Sequence, residues 1–180
     1  MAISISNSDE FAGQNWLITP SALAVNEAQP SSISDQKWLL VLTGVGLVDL
    51  QGNNVNDWRR ESLSIYPPSI DVALEYAVNR YAIPRPVGLN TRPAINLEQW
   101  SPFAAISSIL VEDTGSVDAG YAVDVWRPNL FSTVAAGGQS VSNIFSGIEV
   151  DIAVRNNRAV LHRVSYHFTL LGKIVFLVQA

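Results

Sequence analysis

The chain contains no cysteine, and its 180 residues include only two lysines, two histidines and one methionine. Without cysteine there are no disulfides, no thiolate metal sites and no thiol nucleophile. Lys37 and Lys173 stand far apart, and the nine arginines are scattered from Arg59 to Arg163 in a chain of net charge −5. Nucleic acids and anionic membrane surfaces are recognised by clustered positive charge, so neither is an expected partner. Charged residues make up only 15% of the chain, against about 25% in an average soluble protein. Long apolar runs are missing as well. The longest, 38–50, is interrupted by Thr43, Gly44, Gly46 and Asp49 and falls short of the ~18 residues of a membrane helix. Met1-Ala-Ile-Ser-Ile-Ser has neither the basic start nor the apolar run of a secretory signal. Synthesis in the cytoplasm without a leader is expected, which is compatible with release as part of a particle.

What is present is apolar and β-prone. Hydrophobic residues are 48% of the chain, enough for a single domain of this length to bury a core. The expected fold is mainly antiparallel β, a sandwich or a partly closed barrel, with one clear helix and short N-terminal helices. Ser8 followed by Asp9 and Glu10 reads as a helix start, and Thr19-Pro20 as a second. Residues 38–50 read as one or two buried strands broken at Gly44-Val45-Gly46, and 60–66 as a half-buried strand. The turn residues 51–54 lie between them. The helix spans 69–81, where Ile70, Ala73, Leu74, Ala77, Val78 and Tyr81 share one face.

Four prolines make 82–102 read as an extended arm or wrapping loop. Strands follow at 103–111 and 119–126. The stretch 128–147 has no charged residue and reads as a loop packed against another subunit. Beyond it, Ile148, Val150, Ile152 and Val154 alternate with Glu149, Asp151, Ala153 and Arg155. Asn156-Asn157 fits a two-residue turn. The pattern predicts a hairpin with Arg155 opposite Arg158, Ala153 opposite Val160 and Asp151 opposite His162. Its other face, including Ala159 and Leu161, meets the core. After Gly172, the apolar strand 174–178 must be covered by this chain or by a neighbour.

Five motifs invite chemistry. Thr43-Gly44-Val45-Gly46 begins like a dinucleotide loop, but Asp49 stands at the third glycine position and turn residues follow instead of a helix. It reads as a bend in a strand. Asp113-Thr114-Gly115-Ser116, after Ile109-Leu110-Val111, resembles the active-site turn of aspartic proteases. That resemblance covers four residues and implies a homodimer sharing a proton between two copies of Asp113. Glu112 departs from the family, which has an apolar residue there, and the same residues are ordinary turn formers. Glu112, Asp113 and Asp118 offer oxygens to a cation, but not at EF-hand spacing. His162 opposite Asp151 reads as a cross-strand ion pair or an acid-oriented base. Gly138-Gln139-Ser140-Val141-Ser142 lacks the second glycine of a nucleophile elbow. No catalytic residue, metal or cofactor is assigned.

The expected function is therefore non-enzymatic: a structural or assembly subunit of a larger homo- or hetero-oligomeric particle, such as a virion or phage-tail component. Its partners are expected to be itself or other protein subunits. The candidate contacts are Trp58, Trp100, Pro128, Leu130, Phe131 and Phe145. One alternative is a carbohydrate-binding sandwich that stacks sugars on Trp58 and Trp100. The other is an aspartic-protease-like enzyme acting through Asp113.

Overall fold

Apolar residues at alternate positions drive this chain into long strands. The computed structural model describes residues 3–6, 15–21, 36–54, 56–66, 70–111 and 118–179. Among these, eight strands and one helix follow in order: β1 (Ile3–Ser6), β2 (Asn15–Pro20), β3 (Lys37–Gln51), β4 (Trp58–Tyr66), α1 (Ile70–Arg80), β5 (Thr91–Val111), β6 (Gly120–Val134), β7 (Ser140–Arg155) and β8 (Ala159–Val178).

The strands form two layers. The first has the order β1-β4-β7-β6 and the second β5-β8-β3-β2. Among the named strands of the described residues, one pairing, Asn96 with Ile144, joins them at one corner. All neighbours are antiparallel except β1 and β4. The sheet does not close into a barrel, and the fold is sandwich-like. Leu63, Ile148, Val150, Ile152 and Val154 of the first layer share one core with Leu40, Leu42, Val164, Phe168 and Leu170 of the second. Trp126 of β6 meets Phe168 of β8 edge-on, with centroids 5.3 Å apart.

The helix follows its sequence signals. Asp71 in the first turn and Arg80 in the last complement the dipole. Leu74, Ala77 and Val78 are buried, and Tyr81 packs on Trp38 at 5.0 Å. The helix thus covers the Trp38 end of the second layer's inner face. Ala82 turns to φ +50°, and Ile83 donates its N–H to the Val78 carbonyl at 2.9 Å, closing the last turn.

Several expectations change. Thr19 and Pro20 end strand β2 and do not start a helix; the helix start at Ser8 lies outside the described residues. Residues 38–50 lie within one unbroken strand. Gly44 is paired with Tyr166, and a Cβ at Gly44 would overlap that phenol ring. The glycine makes room for a buried aromatic that stacks on Phe168 at 5.2 Å. The supposed arm 82–102 is irregular only to Asn90, because β5 runs through Pro93 and Pro102. From Pro102 onward β5 pairs with β8 alone. An edge strand tolerates proline because one side needs no N–H.

Residues 128–147 are likewise not a loop. They form the end of β6, a tight turn and the start of β7. Gly137 and Gly138 take positive φ there, and Ala135 donates its N–H to Gln139 at 2.8 Å. The tip folds onto β8: Ala135 bridges Leu177, and Ala136 donates to the Phe176 carbonyl at 2.8 Å. Together with β5, which pairs with Lys173 to Val178, this tip covers the apolar strand 174–178 from within the chain.

The turn at Asn156-Asn157 is present, with Asn156 at φ +84°, but β7 and β8 do not pair as a hairpin. Over its last eight residues β7 lies between β4 and β6, while β8 lies between β3 and β5. The turn is an arch that carries the chain from one layer to the other. Asp151 pairs with Ser62 and Val125, and Ala153 with Arg60 and Ala122. The inward face is nonetheless the expected one: Ile148, Val150, Ile152, Val154, Ala159 and Leu161 are fully buried.

Candidate protein interface

The two layers present unlike outer faces. On the first layer, strand register places ionic side chains within reach of one another. Asp151 accepts a hydrogen bond from Ser62 Oγ at 2.7 Å and lies 3.5 Å from Arg127. Arg127 also meets Glu149 at 2.9 Å. Arg60 reaches across Ala153, the residue paired with it, to Asp124. Arg155 meets Asp118 at 2.6 Å. A shallow groove lies among Arg60, Glu61, Ser62 and Asp151. This is a wet face whose charges are paired with one another.

The outer face of the second layer is different. Its residues are those of β3 that point away from the core, with their neighbours on β8, β5 and β2. One row across the sheet reads Gln99, Leu171, Leu39, Thr19, and the next Ser101, Thr169, Val41, Leu17. The following two read Phe103, His167, Thr43, Asn15, then Ala105, Ser165, Val45. None of Leu39, Val41, Val45, Leu47 and Leu171 belongs to either buried cluster. Leu17 is 59% exposed and Phe103 64%. Across these four rows no aspartate, glutamate, lysine or arginine occurs. The charges lie at the ends, where Lys37 meets Glu98 at 3.3 Å and His162 meets Asp49. A one-sided antiparallel sheet alternates apolar with polar residues, while a strand apolar on both sides is one that is covered on both. Strand β3, read from Trp38 to Val48, is of the second kind, yet the core covers only one of its sides.

Three of the four edges among the described residues, by contrast, are blunted. Beyond its pairing with β7, β6 carries Pro128 and three register shifts. Pro20 ends β2, and β5 has Pro93, Pro102 and three register shifts of its own. Prolines and bulges discourage edge-to-edge pairing.

The sequence-derived contact residues scatter over the molecule. Phe145 is only 5% exposed and belongs to the core shared by the two layers. It is not a surface contact. Trp100, paired with inward Leu170 on β5, packs against the core. Trp58 belongs to the other layer, where Arg155 stacks over its ring at 5.4 Å, so the two tryptophans do not form one row. Pro128 is half-buried. Leu130 and Phe131 are both exposed although adjacent, since register shifts flank them. The residues missed were those of the Trp38–Leu50 run that face outward. Their signal was in plain view, as an apolar run without polar alternation.

Among the described residues the expected His162–Asp151 pair does not form. His162 pairs with Asp49 instead of Asp151, and Thr169 Oγ1 lies 3.3 Å from His167 Nε2. Gly138 to Ser142 form a hairpin turn and strand. The Asp113 turn lies outside the described residues, as does Glu112. Among the described residues, no group of three or more His, Asp or Glu side chains gathers as a metal site requires. No protein family matches the chain, and no curated protein or solved structure is similar to it.

Proposed function

We propose that this chain is a non-enzymatic assembly subunit that docks another protein on the outer face of its second layer. The observation that carries this reading is the asymmetry of the sandwich: a paired ionic network on one outer face, and uncharged Leu39, Val41, Val45 and Leu171 on the other. Half-buried Leu39, Val41, Val45 and Leu171, with exposed Leu17 and Phe103 beside them, put apolar surface on a face without charge, and exposed apolar surface of this kind marks contact sites. The blunted edges favour docking by the face over strand addition.

The test compares the full chain with a Leu39→Glu/Val41→Glu double variant, by light scattering and by fluorescence of an apolar dye. The wild-type chain is expected to run larger than one chain or to bind the dye. The double variant should melt at nearly the same temperature, as a monomer with dye binding lost. An unfolded variant would mean that this face is internal, and unchanged mass and dye binding would mean that it is not a contact surface. Either result overturns the reading.

A further inference from the structure

We infer that the occupant of this face is a second copy of the chain, giving a two-fold dimer in which four sheets stack; this rests on the assembly reading above. Three features of the face point to a copy of itself. The first is shape. A twisted sheet presents a saddle, and the surface that fits it is another sheet with the same hand of twist, rotated by about 30° at ~10 Å separation. A second copy supplies that surface automatically.

The second feature is the pairing of sizes across the midline between β8 and β3. Leu171 stands beside Leu39, Thr169 beside Val41, and Ser165 beside Val45. A two-fold axis in the plane of the face, about 15° off the strand direction at this midline, lays the β8 side of each row on the partner's β3 side. It also sets projecting Leu17 over the small Ser101 of the partner, since those two residues end the same row. An isologous interface requires this reciprocity, each contact occurring twice.

The third feature is extent. Four strands about 4.8 Å apart and some 27 Å of strand length make a plan area on the order of 500 Å². Two such faces together bury on the order of 1,000 Å², the lower bound for a specific interface. The charges at either end of the rows fall at the rim, where polar residues belong.

The absence of cysteine makes the test direct. Thr43→Cys places a single thiol beside the proposed axis, and Ser64→Cys places one on the ionic face of the other layer. Each full-length variant is treated with a short bis-maleimide, and its mass before treatment is read by light scattering. The expected result is a dimer that Thr43→Cys links and Ser64→Cys does not, and that the Leu39→Glu/Val41→Glu changes convert to monomer. A dimer linked through Ser64→Cys overturns the inference. A chain that stays monomeric at its highest soluble concentration, with neither thiol linking, also overturns it. If the double variant still abolishes dye binding in that monomer, the assembly reading survives and the occupant is a different protein; if dye binding is also unchanged, both fall.

Discussion

Gly52 lies against the backbone of Asn156, so close that a Cβ on the glycine would overlap the Asn156 carbonyl oxygen. The contact joins two of the places where the chain crosses between layers. Residues 52–57 carry it from β3 to β4, and Asn156 begins its return from β7 to β8. Gly52 donates its N–H to Ala159 at 2.9 Å, Asn156 donates to Asn54 at 3.3 Å, and Gln51 Nε2 donates to the Asn157 carbonyl at 2.7 Å. Each arch satisfies backbone groups of the other, as a buried turn must. Asn156 is itself 3% exposed.

Gly52→Ala should therefore loosen both arches together. Overpacking against a fixed backbone costs about 1–3 kcal/mol, and urea unfolding should show the midpoint fall with little change in slope. A loss under about 0.5 kcal/mol would show that the arches are free to separate.

Gly44→Ala meets a side chain instead of a backbone. The added methyl strikes the ring of Tyr166, which is 3% exposed. We expect a loss of about 1–3 kcal/mol. Coupled with Tyr166→Leu, the glycine change should cost markedly less than alone, and the double-mutant cycle measures the difference. Additive losses would place the damage elsewhere than in this pair.

The hydroxyl of Tyr121 is buried with no hydrogen-bond partner among the described residues, and burial raises its pKa above the ordinary 10.0. A buried unpaired hydroxyl is a net cost to folding. Tyr121→Phe should leave stability unchanged or raise it by up to about 1 kcal/mol, measured at pH 7. At high pH the sign is set by linkage. The folded chain holds the phenolic proton more tightly than the unfolded one. Stability therefore falls as pH rises past about 10 and through the folded value. Unfolding curves between pH 9 and 11, each compared with Tyr121→Phe, isolate this loss; parallel curves would contradict it.

The helix and the inward face of β7 were legible because each depends on local periodicity. Ile70–Arg80 has the 3.6 repeat, and Ile148 to Val154 the alternation, that their environments demand. Segments 82–102 and 128–147 were misread because composition stood in for pairing. Prolines signalled loop, yet Pro102 sits on an edge. Absence of charge signalled a contact loop, yet Gly137-Gly138 between β-prone runs was the sign of a hairpin. The mistaken β7–β8 pairing carried its own warning, since it set Arg155 opposite Arg158, and like charges directly opposite are unfavourable.

The sequence by itself determined which residues point inward, where the helix lies and where the chain turns, since side-chain alternation and turn chemistry act over a few residues. It did not determine which strand lies beside which. A hairpin and an arch both place Val154 and Leu161 on the apolar side of their strands. In the hairpin the two sides lie next to each other, whereas in the arch they face each other across the core. Only the tertiary structure decided for the arch, because β4 and β6 occupy both edges of β7, and β3 and β5 both edges of β8. The same decision left one side of β3 outside the buried clusters of the described residues.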